Sequence, residues 1–274
     1  MSAAERPYVL GTGADELARL GQQHRLWSDA AVRAWRRAGI APTHRVLDVG
    51  CGPGFAAFDL AQLVPHGAVV GVDESPGFVA HTHTQAQLRG LPNLQAVVGD
   101  VHDLAPALRG QAPFDLAYAR WVLCFVRDPE AVVAGVAAQL RPGGALVVHD
   151  YFNYGAMTMA PRRRSHDLAV AATIRSWRER GGDPDVMARV PAFCAAHGLE
   201  VEHLQVHVRA ARGTDAMFAW LDTWWRTFAP KLVAMGLLAQ ADCDELFGDL
   251  AEIQRDPTRF VQCPSVYELV ARRR

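Results

Sequence analysis

Val46-Leu47-Asp48-Val49-Gly50-Cys51-Gly52-Pro53-Gly54 is the stretch on which the fold turns. Residues 44–49 form a short β-branched run that stops at glycine, and Phe55–Leu63 then reads as a helix. Three alternating glycines let the backbone leave a strand sharply and pass close to a ligand. The free N–H groups at the start of the next helix point towards the same place.

Outward from this turn the alternation continues. Strand 68–72, helix 77–88, strands 95–98 and 115–118, helix 129–140 and strand 145–149 follow, with Pro142-Gly143-Gly144 as the turn before the last. Strands alternating with helices specify a mostly parallel sheet covered on both faces, an α/β Rossmann-like architecture. Upstream, residues 14–39 carry apolar positions at helical spacing, read as one or two amphipathic helices broken near Ser28-Asp29. Downstream come a helix at 167–178, a Gly181-Gly182-Asp183-Pro184 turn, a helix at 185–197, a strand at 199–208, a helical stretch at 215–256 and a strand at 265–271. One structural domain is expected. It would comprise an N-terminal helical cap (1–42), a core (43–150), the rest of the core with an insertion (151–210), a helical lid (211–258) and a closing strand (259–274).

A chain of 274 residues, half of them hydrophobic, can bury one substantial core. Its net charge of −1 gives no global field to gather nucleic acid or an acidic membrane, and Arg162-Arg163-Arg164 and Arg272-Arg273-Arg274 are too short to do so locally. The five cysteines form no C-x-x-C pair, and neither a signal-peptide run nor a membrane-spanning apolar stretch is present, so a reducing cytoplasm is expected. His81 and His83 lie two apart on a helix and so on different faces; no metal site is expected.

The dinucleotide fingerprint would need a third glycine at position 55, which is Phe55, so a nicotinamide cofactor is disfavoured. S-adenosylmethionine (SAM) carries no pyrophosphate and asks instead for acids near a cation and a ribose. Asp48 precedes the glycines, Asp73 and Glu74 end the second strand and Asp100-Val101 follow the third. Asp48 suits an ammonium group, Asp73 both ribose hydroxyls, Asp100 an adenine amino group and the Val101 N–H a ring nitrogen. Any one of these acids alone would be an ordinary strand-end residue; together they divide one cofactor.

With Phe114-Asp115-Leu116-Ala117 and Leu140-Arg141-Pro142-Gly143-Gly144, these segments resemble the successive motifs of class I SAM-dependent methyltransferases over residues 43–150. Within that class the chain is similar to the quinone-biosynthesis and natural-product enzymes that modify small molecules. The resemblance implies a seven-stranded sheet with an antiparallel last strand. It also implies a backbone near Ala119-Arg120 close to the methionine portion of the cofactor, and N-terminal polar residues, here Gln23 and Tyr8, closing over it.

Ligands of open parallel sheets bind beyond the carboxyl ends of the strands, which nominates Trp121, Asp150 and Tyr151 beside the acceptor. His149 or His24 would serve as a base where the acceptor has a proton to lose, with Tyr151 as a further candidate. The plain alternatives are a buried, hydrogen-bonded strand histidine and a surface or capping histidine. Trp220 and Trp224 either pack a helix onto the sheet or line an apolar acceptor pocket; Trp225, adjacent to Trp224, cannot share its face. Val233, Leu237 and Leu238 extend that apolar surface or meet a second subunit in a homodimer. The reading is methyl transfer from SAM to O, N or C of a small apolar or aromatic acceptor, yielding S-adenosylhomocysteine. Its alternatives are a SAM-binding protein without methyl transfer and, with less support, a nucleic-acid methyltransferase.

Overall fold

The computed structural model describes residues 13–274; Tyr8, an expected cofactor contact, lies outside them. In chain order the elements are α1 (Ala14–Arg37), β1 (Arg45–Val49), α2 (Phe55–Leu63), β2 (Ala68–Asp73), α3 (Pro76–Leu88), β3 (Leu94–Val98) and α4 (Leu104–Ala107). Then follow β4 (Phe114–Arg120), α5 (Pro129–Gln139), β5 (Leu140–Tyr151), β6 (Thr158–Ala160), α6 (Arg164–Glu179), α7 (Val190–Ala196) and β7 (Leu199–His207). The chain closes with β8 (Ala210–Ala211), α8 (Ala216–Ala234), α9 (Gln240–Arg255), β9 (Phe260–Gln262) and β10 (Val266–Arg273).

Seven strands form one sheet in the order β3-β2-β1-β4-β5-β10-β7. Pairings among β1 to β5 are parallel, while β10 runs antiparallel to both β5 and β7. The order reverses between β2 and β4, placing a crevice beyond the carboxyl end of β1. Strand alternation divides β5 between two cores. Ala145 and Val147 pack with Trp35 and Phe58 under α1 and α2, whereas Leu146 and Val148 join the larger cluster on the opposite face. His149 therefore faces the α1 side and Asp150 the other.

Helix α1 does not break at Ser28-Asp29. Ser28 Oγ donates back to Arg25 O at 3.2 Å, and Asp29 accepts from Arg33 one turn on and from Arg209, so both polar side chains are used without leaving the helix. The helical stretch expected at 185–197 resolves into a 3₁₀ turn and α7, which Pro191 helps to start. Pro142, Gly143 and Gly144 lie inside β5, where the pairing with β4 is irregular between Phe114 and Leu116. A second sheet, β6-β9-β8, has strands of only two or three residues and no pattern that the sequence could display.

Gly54 caps α2 at φ 82°, and a Cβ there would lie 2.6 Å from Thr82 Oγ1 of α3. Thr82 is fully buried and its hydroxyl donates to Phe78 O, so it cannot yield cheaply. Gly54→Ala is expected to cost about 2–3 kcal/mol from left-handed strain and overpacking, read as a lower urea midpoint at unchanged slope.

Candidate cofactor and acceptor site

A cavity of about 850 Å³ opens at the carboxyl ends of the first four strands. One flank is built by the glycine turn and the strand-end acids: Asp48, Gly50, Gly52, Asp73, Glu74, Asp100 and Val101 all line it. Gly52 has φ 54°, and a methyl group added there would meet nothing within 4 Å, because that side of the residue is the cavity. The turn is fastened from below by Asp73. Its Oδ2 accepts from Gly52 N–H at 2.8 Å and its Oδ1 from Ser75 N–H at 2.9 Å. A carboxylate has about four acceptor positions, so two remain for a ligand.

Asp48 is only 3% exposed, and its Oδ2 has no hydrogen-bond partner. Burial pushes its carboxyl up to about 7; the Arg120 charge opposes this and the nearby Asp73 adds to it. A buried carboxylate with one oxygen left open beside a glycine turn fits a bound cation. Asp73 is also raised, by burial, against the pull of its two backbone donors. Asp100 accepts from both His102 N–H and the His102 ring at Oδ1, a loop contact that brings His102 to the cavity edge.

Arg120 ends β4 at the cavity, while Ala119 stays buried behind it. The guanidinium donates to His24 Nδ1 at 3.0 Å, which fixes the proton of that imidazole on Nε2, facing Asp59 Oδ2 at 3.0 Å. Burial lowers the His24 pKa more than Asp59 raises it. His24 is thus a neutral link between Arg120 and Asp59, with its acceptor nitrogen occupied and no place on the cavity wall, which does not suit a base. Gln23 does reach the wall, its Oε1 accepting from Arg19 at 3.0 Å and from Trp220 Nε1 at 3.1 Å.

The other flank is aromatic. Trp121 stacks on Tyr151 (ring centroids 6.1 Å apart) and Trp220 (6.4 Å), and Tyr151 meets Tyr154 (5.1 Å). Trp177 joins Tyr154 at 5.1 Å, and Trp224 stacks on Phe228 at 4.6 Å, closing a continuous wall. Trp225 points the opposite way, edge-on to His166. Trp121 is held at φ 52°, a conformation that bulky residues rarely take, by a bond from its N–H to His149 O. Tyr154 and Trp177 were not singled out in the sequence, their only signal being an aromatic residue near a helix end or just past a strand, and Phe228 stood out only as one of the bulky apolar residues of the helical segment at 215–256.

Two expected site residues stand elsewhere. Parity on β5 turns His149 under α1, 2% exposed, with Nδ1 at 3.3 Å from the Tyr118 hydroxyl and Nε2 at 3.4 Å from Glu268 Oε2. Asp150 is fully buried on the opposite face, where it accepts Cys124 N–H and Tyr151 N–H and ties down the loop after β4. Neither lines the cavity. Burial, with the carboxylate of neighbouring Asp150, drives the Tyr151 hydroxyl well above its ordinary pKa, so it stays protonated.

Residues 40–186 match the family model described as a methyltransferase domain. Among curated relatives, the chain is 34% identical over 157 residues to a trans-aconitate 2-methyltransferase of Deinococcus radiodurans, covering 57% of this chain and 52% of that one. It is 29% identical to the enzyme of that name from Azoarcus sp., over 66% of this chain and 67% of that one. The matches thus span about half to two thirds of these relatives' length. Among solved structures, a geranyl diphosphate methyltransferase in complex with SAM superposes with a TM-score of 0.56 at 16% identity, covering 94% of this chain and 90% of that one. The sheet order and antiparallel β10 are those expected of the class I fold.

Proposed function

The chain belongs to the methyltransferase domain family, and on that premise we propose that it transfers the methyl group of SAM to a small, largely apolar aromatic acceptor. When bound, SAM would supply a methyl carbon made electrophilic by its sulfonium. Asp48 would take the ammonium group, Asp73 the ribose hydroxyls and Asp100 the adenine amino group, with Glu74, Val101 and the backbone at Gly50 and Gly52 forming the rest of the bed. This supports SAM as the cofactor and the cavity as the reaction site.

The observation that carries the acceptor class is the unbroken aromatic wall facing the acids across one cavity. The named relatives act on trans-aconitate, a tricarboxylate, whose recognition calls for cations set aside for carboxylates. Here two arginines stand over these rings, and Arg127 and Arg180 line the cavity as well. Arg19 is gripped by Glu16 through two hydrogen bonds of 2.6 and 2.7 Å, whereas Arg120 gives one nitrogen to His24 and keeps a buried Nη1 without a partner. The aromatic wall favours a planar group, with Arg120 Nη1 left to meet a polar atom on the ligand. With His24 and His149 off the wall and Tyr151 protonated, catalysis would rest on positioning the acceptor for in-line displacement. Tyr151 would act as an orienting donor.

Incubation with SAM and a panel of phenols, indoles, quinols and tricarboxylates tests this, with S-adenosylhomocysteine measured. Turnover is expected with one of the planar aromatic compounds, at least tenfold faster than with any tricarboxylate. Faster turnover of tricarboxylates would overturn the acceptor class, and SAM binding without turnover across the panel would overturn the activity.

A further inference from the structure

Behind the cavity, on the α1 side of the sheet, three adjacent strands bring together His149 from β5, Glu268 from β10 and His207 from β7. Glu268 pairs directly with His149 in register, while His207 pairs with Val266, two residues along β10, so all three project to one face. Their ligand-capable atoms all lie within 4.8 Å of one another, the one such three-residue cluster among the described residues. Glu268 is fully buried and His149 is 2% exposed.

We propose that His149 Nε2, His207 Nε2 and Glu268 Oε2 form a binding site for a divalent transition metal, zinc or a similar ion, that clips the last three strands together. The donor set is two imidazoles and one carboxylate, the chemistry such ions take. Ligands about 2.0–2.1 Å from a tetrahedral zinc stand roughly 3.3 Å apart. His149 Nε2 lies 3.4 Å from Glu268 Oε2, whereas His207 Nε2, at 2.8 Å from that oxygen, is in hydrogen-bond contact and would open by about half an ångström.

An ion-pair hub without metal accounts for His207 and for Arg37, which bonds the other carboxylate oxygen, Oε1. It leaves His149 Nε2 buried, aimed at the cluster and held only by a 3.4 Å contact to Glu268 Oε2, too loose for a well-formed hydrogen bond. Nδ1 of the same ring lies 3.3 Å from the Tyr118 hydroxyl, the kind of outer contact that orients a ligating imidazole. His203 stands at the rim of the cluster, its Nε2 3.7 Å from Glu268 Oε1 and 3.3 Å from Gln205 Oε1, and it is partly open to solvent. Arg37 is the competing cation. Its side chain is 38% exposed and can swing outward as a metal enters.

Untagged full-length protein, stripped with EDTA, would be titrated with Co²⁺ and followed by visible absorption, with Zn²⁺ as displacing ion. One Co²⁺ per chain with the bands of a four-coordinate site is expected. His207→Gln, at the solvent rim, would weaken binding at least tenfold, as would His149→Gln, and Arg37→Gln would strengthen it. His197→Gln, whose imidazole contacts Glu130 elsewhere, serves as the control and would leave binding unchanged. Circular dichroism reports folding of each variant. Absence of Co²⁺ uptake by the wild type, or equal uptake by folded His207→Gln, overturns the proposal.

Discussion

Asp73→Ala is expected to weaken SAM binding by at least roughly a hundredfold, the consequence of losing two charge-assisted hydrogen bonds worth about 1.5–3 kcal/mol each. The residue's standing comes from its double use. The same carboxylate that would meet the ribose already holds Gly52 N–H and Ser75 N–H, so its removal also loosens the turn under the methionine portion. Titration calorimetry with S-adenosylhomocysteine checks this, and Asp73→Asn, which keeps one acceptor oxygen, should fall between. Retained affinity in a folded Ala variant would remove Asp73 from the ribose site.

Asp48→Asn should move stability and binding in opposite directions. Between an ordinary carboxyl and one pushed up to about 7 lies roughly 4 kcal/mol, the upper bound on what ionising Asp48 costs the ligand-free fold. An acid whose folded pKa is raised contributes stability that is complete below the ordinary carboxylate range and is lost as pH climbs through about 7. The ligand-free wild type should therefore lose stability from this group between about pH 4 and 7, and the Asn variant should not, leaving it the more stable at pH 8. Binding of a cationic ligand draws Asp48 into its charged form. SAM affinity should rise with pH up to about 7, with proton release, and that dependence should flatten in Asp48→Asn. Denaturant midpoints and calorimetry across pH 5–8 decide it; an Asn variant with the wild-type pH profile refutes the assignment.

How far these features were visible beforehand follows from their range along the chain. The glycine turn, the strand-end acids and the alternation of strands and helices are local patterns with fixed offsets, and β1 to β5 formed close to where those patterns put them. The antiparallel β10 came from resemblance, since nothing in residues 265–271 encodes direction. His149 illustrates what local reading misses. Its position at the end of a strand was legible, but the face it takes depends on pleat parity set by Ala145 and Val147 in the core under α1. The partners waiting there, Glu268 and His207, are more than 50 residues away. His24 likewise looked like a lone helical histidine because Arg120 and Asp59 reach it only in three dimensions.

The small β6-β9-β8 sheet bears on how the acceptor is chosen. Strand β8 leads into α8 and β9 follows α9, and both pair within the same ribbon, so the helical pair carrying Trp220, Trp224 and Phe228 is stapled at each root. A flap hinged at one end can swing aside and reclose around whatever enters. A segment tied at both ends behaves as a fixed mould, whose ordering cost is met when the chain folds rather than at each encounter. Selectivity here should then come from fit to a standing shape, and poor fits should fail at binding, before any chemistry begins.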